Sequence, residues 1–495
     1  MQDSLLIELL TEELPPKSLL KLSQAFCRGI FDGLKERGFI ADDADYSGSV
    51  TEFATPRRLA VLIKDVVSMQ PERTVERKGP AVNTAFDKDG KPTPALSGFA
   101  KSCNIEIEKL EKQSDKKGEY FVFRAKQPGE ALAQHLSDIV QAAIKKLPVA
   151  KLMRWGESEV QFVRPVHGLI MLHGANIVPG EVLRLQSRNT TSGHRFLSGG
   201  DIVIAKADDY KRELEAQGKV IASFDERRTK VDEQLKAYTQ ALNARVNPTE
   251  GLLDEVTALV EWPVVYVGEF DAEYLAVPQE CLILTMQKNQ KYFPLLDTSG
   301  KLLNKFLIVS NMQVDDPKHI IGGNQRVVRP RLADARFFYN QDRRQTLESC
   351  VAKLGSVVYH NKLGTQLQRV ERIQKLAVAL AERLKEIKFA ADVKQVERAA
   401  YLCKADLLTD MVGEFPELQG IMGYYYALHD GEDTQVAEAI REHYERVPSG
   451  PVGICVGLAD KLDTLVGIYG IGLIPTGDKD PFGLRRAALS ILRTL

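Results

Sequence analysis

Apolar and polar positions alternate in blocks along the first third of the chain. "SLLIELLT" (residues 4–11) and "RRLAVLIKDV" (57–66) are apolar runs of strand length. Between them, "PKSLLKLSQAFCRGIFDGLKERG" (16–38) repeats its apolar residues at the spacing of one helical face. A similar order returns in "EYFVFRA" (119–125), "EALAQHLSDIVQAAIKKL" (130–147) and "HGLIMLHG" (167–174). The later strand of each set has related chemistry, "TPRRLAVLI" at 55–63 and "RPVHGLIML" at 164–172. This predicts two related β-α-β units, with ordinary α+β alternation as the plainer alternative. Between them, residues 71–104 hold four prolines, three glycines and little periodicity. Structureless loops beyond about 12–15 residues are uncommon inside domains. The stretch is expected to be an inserted loop that reaches a partner, or else a linker.

From about residue 200 the pattern changes. "SFDERRTKVDEQLKAYTQAL" opens on a possible capping box, Ser223 with Glu226, and sets Val231, Leu235, Tyr238 and Leu242 on one face. Asn247 and Pro248 read as the cap and first turn of a second helix, "NPTEGLLDEVTALVEW". The strands "VVYVGEF" and "KFLIVSNM" follow, with "LILTMQKNQKYFP" between them. Beyond 330 the helical pattern dominates in "LQRVERIQKLAVALAERLKEI", "VERAAYLCKADLLTDMV" and "DTQVAEAIREHYERV". The last helix, in "DPFGLRRAALSILRTL", leaves Leu489, Ile491, Leu492 and Leu495 without an evident partner, so the chain is expected to be truncated within a larger protein.

A chain of 495 residues exceeds one core, and two to four domains are expected. The 66 basic and 67 acidic side chains nearly cancel, so any nucleic-acid binding must rely on local patches. Six cysteines lie far apart with no Cys-x-x-Cys, which argues against a zinc ribbon or a disulfide framework and suits a reducing cytoplasm. The acidic N-terminus lacks the positive region of a signal peptide, and the most apolar stretch, "LVGIYGIGLIP", is short and broken by glycine. Neither secretion nor membrane insertion is expected.

The sequence lacks a phosphate-binding Gly-x-x-x-x-Gly-Lys-Ser/Thr, a Gly-x-Gly-x-x-Gly after a strand, a His-Glu-x-x-His and a Gly-x-Ser-x-Gly. It does contain an adjacent His429-Asp430. In HD phosphohydrolases such a pair sits in an apolar helix and holds a divalent cation. Here the pair follows "GYYYAL" and precedes "GED", a helix end and turn, and is read as a surface feature. The segment that resembles the HD helix is "AAYLCKAD", where Lys404 or Ala405 fills the histidine slot and only Asp406 remains. Asp460 in "LADKLD" matches the last aspartate, and His360 could stand near the first ligand position. A lysine at such a site opposes a metal ion, so the fold is expected to persist without its metal.

"KADLLTDMVGEFPELQGIMGYYYALHDGE" and "GLADKLDTLVGIYGIGLIPTGDKDPFGLRRAALSILR" resemble the β subunits of bacterial heterotetrameric glycyl-tRNA synthetases. So do "LLIELLTEELPP", "ATPRRLAVLI", "MRWG", "FVRPVHGLI", "TSGHRF", "EVTALVEWPVV", "TMQKNQKYFP" and "RLADARFFY", which together span the whole chain. The resemblance implies an α2β2 glycine–tRNA ligase that uses ATP and Mg2+. The adenylate chemistry would reside on the α subunit, and this chain would bind no cofactor and serve to hold tRNA(Gly). It also implies a multidomain α+β fold. An N-terminal α+β body (1–200, with the inserted loop 71–104) would precede a B3/B4-like α+β domain (201–330). An all-α HD-like domain (331–495) would follow, ending before an anticodon-binding domain. Two other activities stay open, an HD phosphohydrolase and an editing hydrolase of mischarged tRNA. Editing has little to correct, because glycine has no smaller competitor.

Phosphate contact requires clustered cations. Segment 326–344 has six arginines against two aspartates, and Arg326, Arg329, Arg331 and Arg336 are its densest group. Segment 151–195 sets Arg154 beside Trp155 and adds Arg164, His167, His194 and Arg195. Stacking plus charge suits unpaired bases. Lys288 and Lys291 in "TMQKNQKYF" complete the candidates.

Overall fold

The computed structural model describes residues 2–87, 90–115, 118–149 and 151–495. It is a mixed α+β chain that divides into two compact units. Residues 1–234, 249–265 and 309–315 form the first unit, and residues 235–248, 266–308 and 316–495 the second. These limits reflect compactness; the three-part division at 200 and 330 rests on family resemblance.

In the first unit, strand β1 (Gln2–Thr11) leads through helix α1 (Leu19–Glu36) to β2 (Val50–Thr55) and β3 (Arg58–Val67). Next come β4 (Arg73–Ala81), α2 (Pro94–Ser102), β5 (Glu111–Asp115) and β6 (Gly118–Gln127). Helix α3 (Leu132–Lys145) then leads to β7 (Val166–His173) and β8 (Asn176–Ile177). The main sheet is antiparallel, in the order β8-β7-β1-β3-β2. "TPRRLAVLI" and "RPVHGLIML" therefore flank β1 on opposite sides.

The side chains of β1 alternate between two cores, as a strand requires. Leu5, Ile7 and Leu9 pack with Phe26, Ile30 and Val140 of α1 and α3. Leu6 belongs to the other core, with Ile170, Leu172 and Tyr210. Burial on both faces explains why β1 reads as an unbroken apolar run. Its one charged interior residue, Glu8, meets the buried Arg58 guanidinium at 3.2 Å and accepts a hydrogen bond from the Tyr210 hydroxyl.

Two expectations about this unit are corrected. "EYFVFRA" does not repeat β1: it is β6, the centre of a separate antiparallel sheet β4-β6-β5. Residues 71–104 are not an aperiodic loop, because they supply β4 and α2. Ala85, Leu96 and Ala100 from this stretch form a small core with Leu110 and Phe121. The strand was hidden because β4, "RTVERKGPA", is largely exposed and polar.

Past β8 the chain continues through helix α4 (Tyr210–Ala216) into α5 (Phe224–Ala241), whose last turns and the following strand belong to the second unit. Ser223 Oγ accepts from the Glu226 backbone N–H at 3.4 Å, one half of the expected capping box; the Glu226 carboxylate pairs with Lys211 instead. Strand β9 (Arg245–Val246) extends into Asn247, whose N–H donates to Pro294 O, so the next helix starts only at Leu252. This replaces the expected start at Asn247 and Pro248: sheet pairing takes the asparagine first.

The second unit combines a four-stranded sheet with helices. Strand β10 (Val264–Glu269) is followed by α6 (Gln279–Gln290), β11 (Phe293–Leu296) and β12 (Leu302–Ser310), in the order β9-β11-β12-β10. The long α7 (Lys318–Asp342), with Pro330 inside it, precedes α8 (Gln366–Leu384), α9 (Val393–Leu402) and α10 (Ile421–His429). The last are α11 (Thr434–Glu442), α12 (Pro451–Gly470) and α13 (Leu484–Thr494). One apolar core runs through this unit from Phe270 and Phe306 to Ala459. The expected continuous helix "VERAAYLCKADLLTDMV" breaks after Leu402 into a short 3-10 turn and a five-residue helix. Among the described residues no helix is long and apolar enough to cross a membrane.

Helices α1 and α3 approach closely because α1 carries glycine at 29 and 33. A Cβ at Gly33 would lie 2.8 Å from Ile139 Cγ2, and one at Gly29 would lie 3.0 Å from Ala143 Cβ. Gly33→Leu is expected to destabilise the protein by about 1–3 kcal/mol through overpacking, read as a lower melting temperature by calorimetry. Gly98→Ala, on an open face of α2 with nothing within 4 Å, is expected to be neutral or stabilising by up to about 1 kcal/mol.

Candidate functional site

Lys404 lies just past the end of α9, in the break between helices, and is 1% exposed. A buried ammonium must find acceptors, and this one finds two. Its Nζ donates to Asp460 Oδ2 at 3.1 Å and to His443 Nε2 at 2.9 Å, and it lies 4.0 Å from the Tyr444 ring centroid. His443 Nδ1–H donates to Ile440 O at 2.7 Å, which leaves Nε2 as the acceptor and the imidazole neutral. Burial and then the Lys404 charge push the His443 pKa well down. Burial alone would raise the Asp460 carboxyl, but Lys404 and Arg369 override it and hold it below the usual range.

Two arginines on α8 complete the cluster. Arg369 donates to Asp460 Oδ1 and to Thr464 Oγ1, both at 2.8 Å, and stacks 4.1 Å over Tyr359. Arg372 grips Asp463 at 2.6 and 3.2 Å. Arg369 with Arg372 and Asp460 with Asp463 are i, i+3 pairs on facing helices. That matched spacing is a signal in the sequence that could have found them; His443 in "REHYER" carries none.

Of the three expected HD-site residues, Lys404 and Asp460 meet directly. Asp406 serves elsewhere. Its Oδ2 accepts from the backbone N–H groups of Gly420 and Gly423, capping α10, while Oδ1 is buried with no partner among the described residues. Burial pushes its pKa up to about 6. His360 lies outside the cluster, on a small hairpin where its Nδ1 accepts from the Lys362 N–H. His429 is exposed beside Arg343, and Asp430 accepts from the Leu347 N–H at 2.6 Å. Among the described residues no group of three or more His, Cys, Asp or Glu could hold a metal ion. The residues around Lys404 do not fit a divalent cation, because two cations face one carboxylate and a neutral imidazole.

The expected tRNA-facing cations are mostly paired with acids. Arg154 pairs with Glu159 at 3.2 Å, and Trp155 packs against the first unit's core. Arg164 donates to Val163 O. His167 and Arg195 both meet Glu12 at 3.0 Å. His194 is buried, accepting at Nδ1 from the Phe196 and Leu197 N–H groups in a turn. Lys288 pairs with Glu417 at 2.8 Å, and Lys291 ends α6 in the left-handed conformation. Arg326, Arg329, Arg331 and Arg336 all lie on α7. Arg329 reaches Asp271 at 3.5 Å, and Arg336 meets Glu273 at 2.9 Å while lying over the Tyr274 ring. Arg326 donates to Gly322 O, and Arg331 is exposed. Phe337 is 60% exposed on the same helix. Asp342, one of the two aspartates of 326–344, is buried and accepts from Asp410 N, Met411 N and the Tyr426 hydroxyl, so it does not offset the surface charge.

A family model described as "Glycyl-tRNA synthetase beta subunit" matches residues 5–495. The chain belongs to the glycyl-tRNA synthetase β-subunit family. A Neisseria meningitidis serogroup C relative named glycine–tRNA ligase beta subunit is 55% identical over 501 residues, covering all of this chain and 72% of its own length. Relatives of the same name from Aromatoleum aromaticum and Ralstonia nicotianae are 55% and 53% identical, each over 99% of this chain and 71% of their own. Membership in this family makes the chain a subunit of an aminoacyl-tRNA synthetase, a ligase of protein biosynthesis, and implies a complex with an α subunit.

The neutral His443 has a pH signature. Unfolded, the imidazole takes up a proton near pH 6.5; folded, it does not, so its contribution to stability is lost as pH falls below that value. The stability of the wild type relative to His443→Gln, in which Asp406 is unchanged, is expected to shrink by up to about 1.4 kcal/mol per pH unit below that point. Urea unfolding at several pH values measures it, and a difference independent of pH would contradict the neutral assignment.

Proposed function

We propose that this chain is the tRNA-binding, noncatalytic β subunit of a cytoplasmic α2β2 glycine–tRNA ligase. It holds tRNA(Gly), while the α subunit forms glycyl-adenylate from glycine and ATP with Mg2+. Family membership supports the ligase assignment, and the Lys404 ammonium beside Asp460 supports the noncatalytic one. In this reading the helical region of 331–495 is an HD-like scaffold and the region of 201–330 is B3/B4-like.

The observation that carries RNA binding is the exposed surface of α7. Arg326, Arg329 and Arg331 are exposed on this helix, and so is Phe337. Exposed guanidinium groups suit a phosphate backbone, and an exposed aromatic ring suits an unpaired base. The acids Asp271 and Glu273 hold two of the arginines in the absence of RNA and would release them to phosphate.

Binding of tRNA(Gly) to the chain is expected to weaken as salt rises, with log affinity linear in log salt. Replacing Arg329 and Arg331 by alanine is expected to lower affinity and to reduce the salt slope by about one for each phosphate no longer neutralised. Filter binding across a salt series measures both. An affinity unaffected by salt and by these substitutions would rule out α7 as the binding face.

A further inference from the structure

Trp262 lies in the first unit with Lys230 Nζ 4.3 Å and Lys219 Nζ 5.6 Å from its ring centroid. The indole is half-buried, as are both lysines. Among the described residues neither ammonium is paired with a carboxylate, unlike most of the expected tRNA-facing cations. Both lie within cation–π range of the ring.

The platform under this ring is fixed from several sides. Asn311 Oδ1 accepts from the backbone N–H groups of both Glu261 (2.6 Å) and Trp262 (2.9 Å). Gln234 donates to Pro263 O at 3.2 Å and accepts from Val265 N–H at 3.0 Å. Glu261 points the other way, its carboxylate accepting from Thr55 Oγ1 at 2.9 Å and lying near Arg57 and Arg58. Glu261 and Trp262 are thus held by different partners, the carboxylate by Thr55 and the backbone of both by Asn311. The indole N–H lies 3.5 Å from the Oε1 of Gln313, an exposed amide at the ring's edge. Lys219 follows Gly218 with a left-handed backbone, φ 51°, a conformation that a lysine rarely adopts.

From this arrangement we infer that Trp262, Lys219 and Lys230 form a binding site for an unpaired nucleotide of RNA. The base stacks on the indole, the two ammonium groups turn to the flanking phosphates, and the Gln313 amide meets the edge of the base. A rigid aromatic face beside two flexible point charges matches a nucleotide better than an acidic peptide, whose carboxylates would not use the ring. The site deepens the tRNA-binding reading and rests on it.

The test uses the whole chain and a short single-stranded RNA, with a blunt RNA duplex as the control that offers phosphates without free bases. The sequence contains two tryptophans, so the emission lost on binding can be assigned with a Trp262→Phe variant. Single-stranded RNA is expected to quench the wild-type emission, the duplex to leave it unchanged, and the Trp262→Phe chain to show no quenching. Trp262→Leu is expected to weaken single-strand binding by about 5- to 150-fold, the range of base–aromatic stacking. Lys219→Gln and Lys230→Gln are each expected to reduce the salt slope by about 0.7. RNA binding without any change in wild-type Trp262 emission, or equal quenching by the duplex, would overturn the site while leaving the tRNA reading intact. A chain that binds no RNA at any salt would overturn both.

Discussion

The ammonium of Lys404, held between Asp460 and His443, governs the architecture of the helical half of the chain. A buried charge without partners costs several kcal/mol, so the surrounding helices must deliver acceptors to one point. They do so from three directions: α9 ends to place the lysine, the segment after α11 brings His443, and α12 brings Asp460. Arg369 and Arg372 then tie α8 to α12 through Asp460 and Asp463. Removing one member of such a pair typically costs about 3–5 kcal/mol, because it strands the other. The cluster therefore fixes where the helices cross, with an organic cation at its centre.

The electrostatics of the surface follow a related logic. With 66 basic and 67 acidic residues, the chain as a whole exerts little pull on RNA, and attraction must be local. The α7 arginines are the candidates for it, with Arg329 and Arg336 held by Asp271 and Glu273. Exposed pairs of this kind are worth little individually, so phosphate can replace a carboxylate at small cost. Such a surface favours reversible, salt-sensitive contacts with anions.

Elements with a strong apolar period were legible in the sequence: β1, α1, β3, α3 and β7 all lie where their hydrophobic runs placed them. Elements whose side chains mostly face water were not. The strand β4 was lost to its polar composition, and the helix break after Leu402 was hidden because Lys404 and Asp406 do not disturb the local helical pattern. Their demands come from tertiary partners, an ion pair and a helix cap, that no local window contains. Asp460 could be matched through its motif, whereas His443 could be found only by folding the chain. Trp155 attracted attention as a stacking residue because an arginine precedes it, yet it packs inward. Trp262, without a cationic neighbour in sequence, meets its lysines only in three dimensions.

The Lys404 ammonium, and no metal ion, is the cation held beside Asp460. Elemental analysis of the chain, purified gently and without chelators, tests this directly. The account predicts far less than one equivalent of any transition metal per chain. One full equivalent, lost on Asp460→Asn substitution, would contradict it.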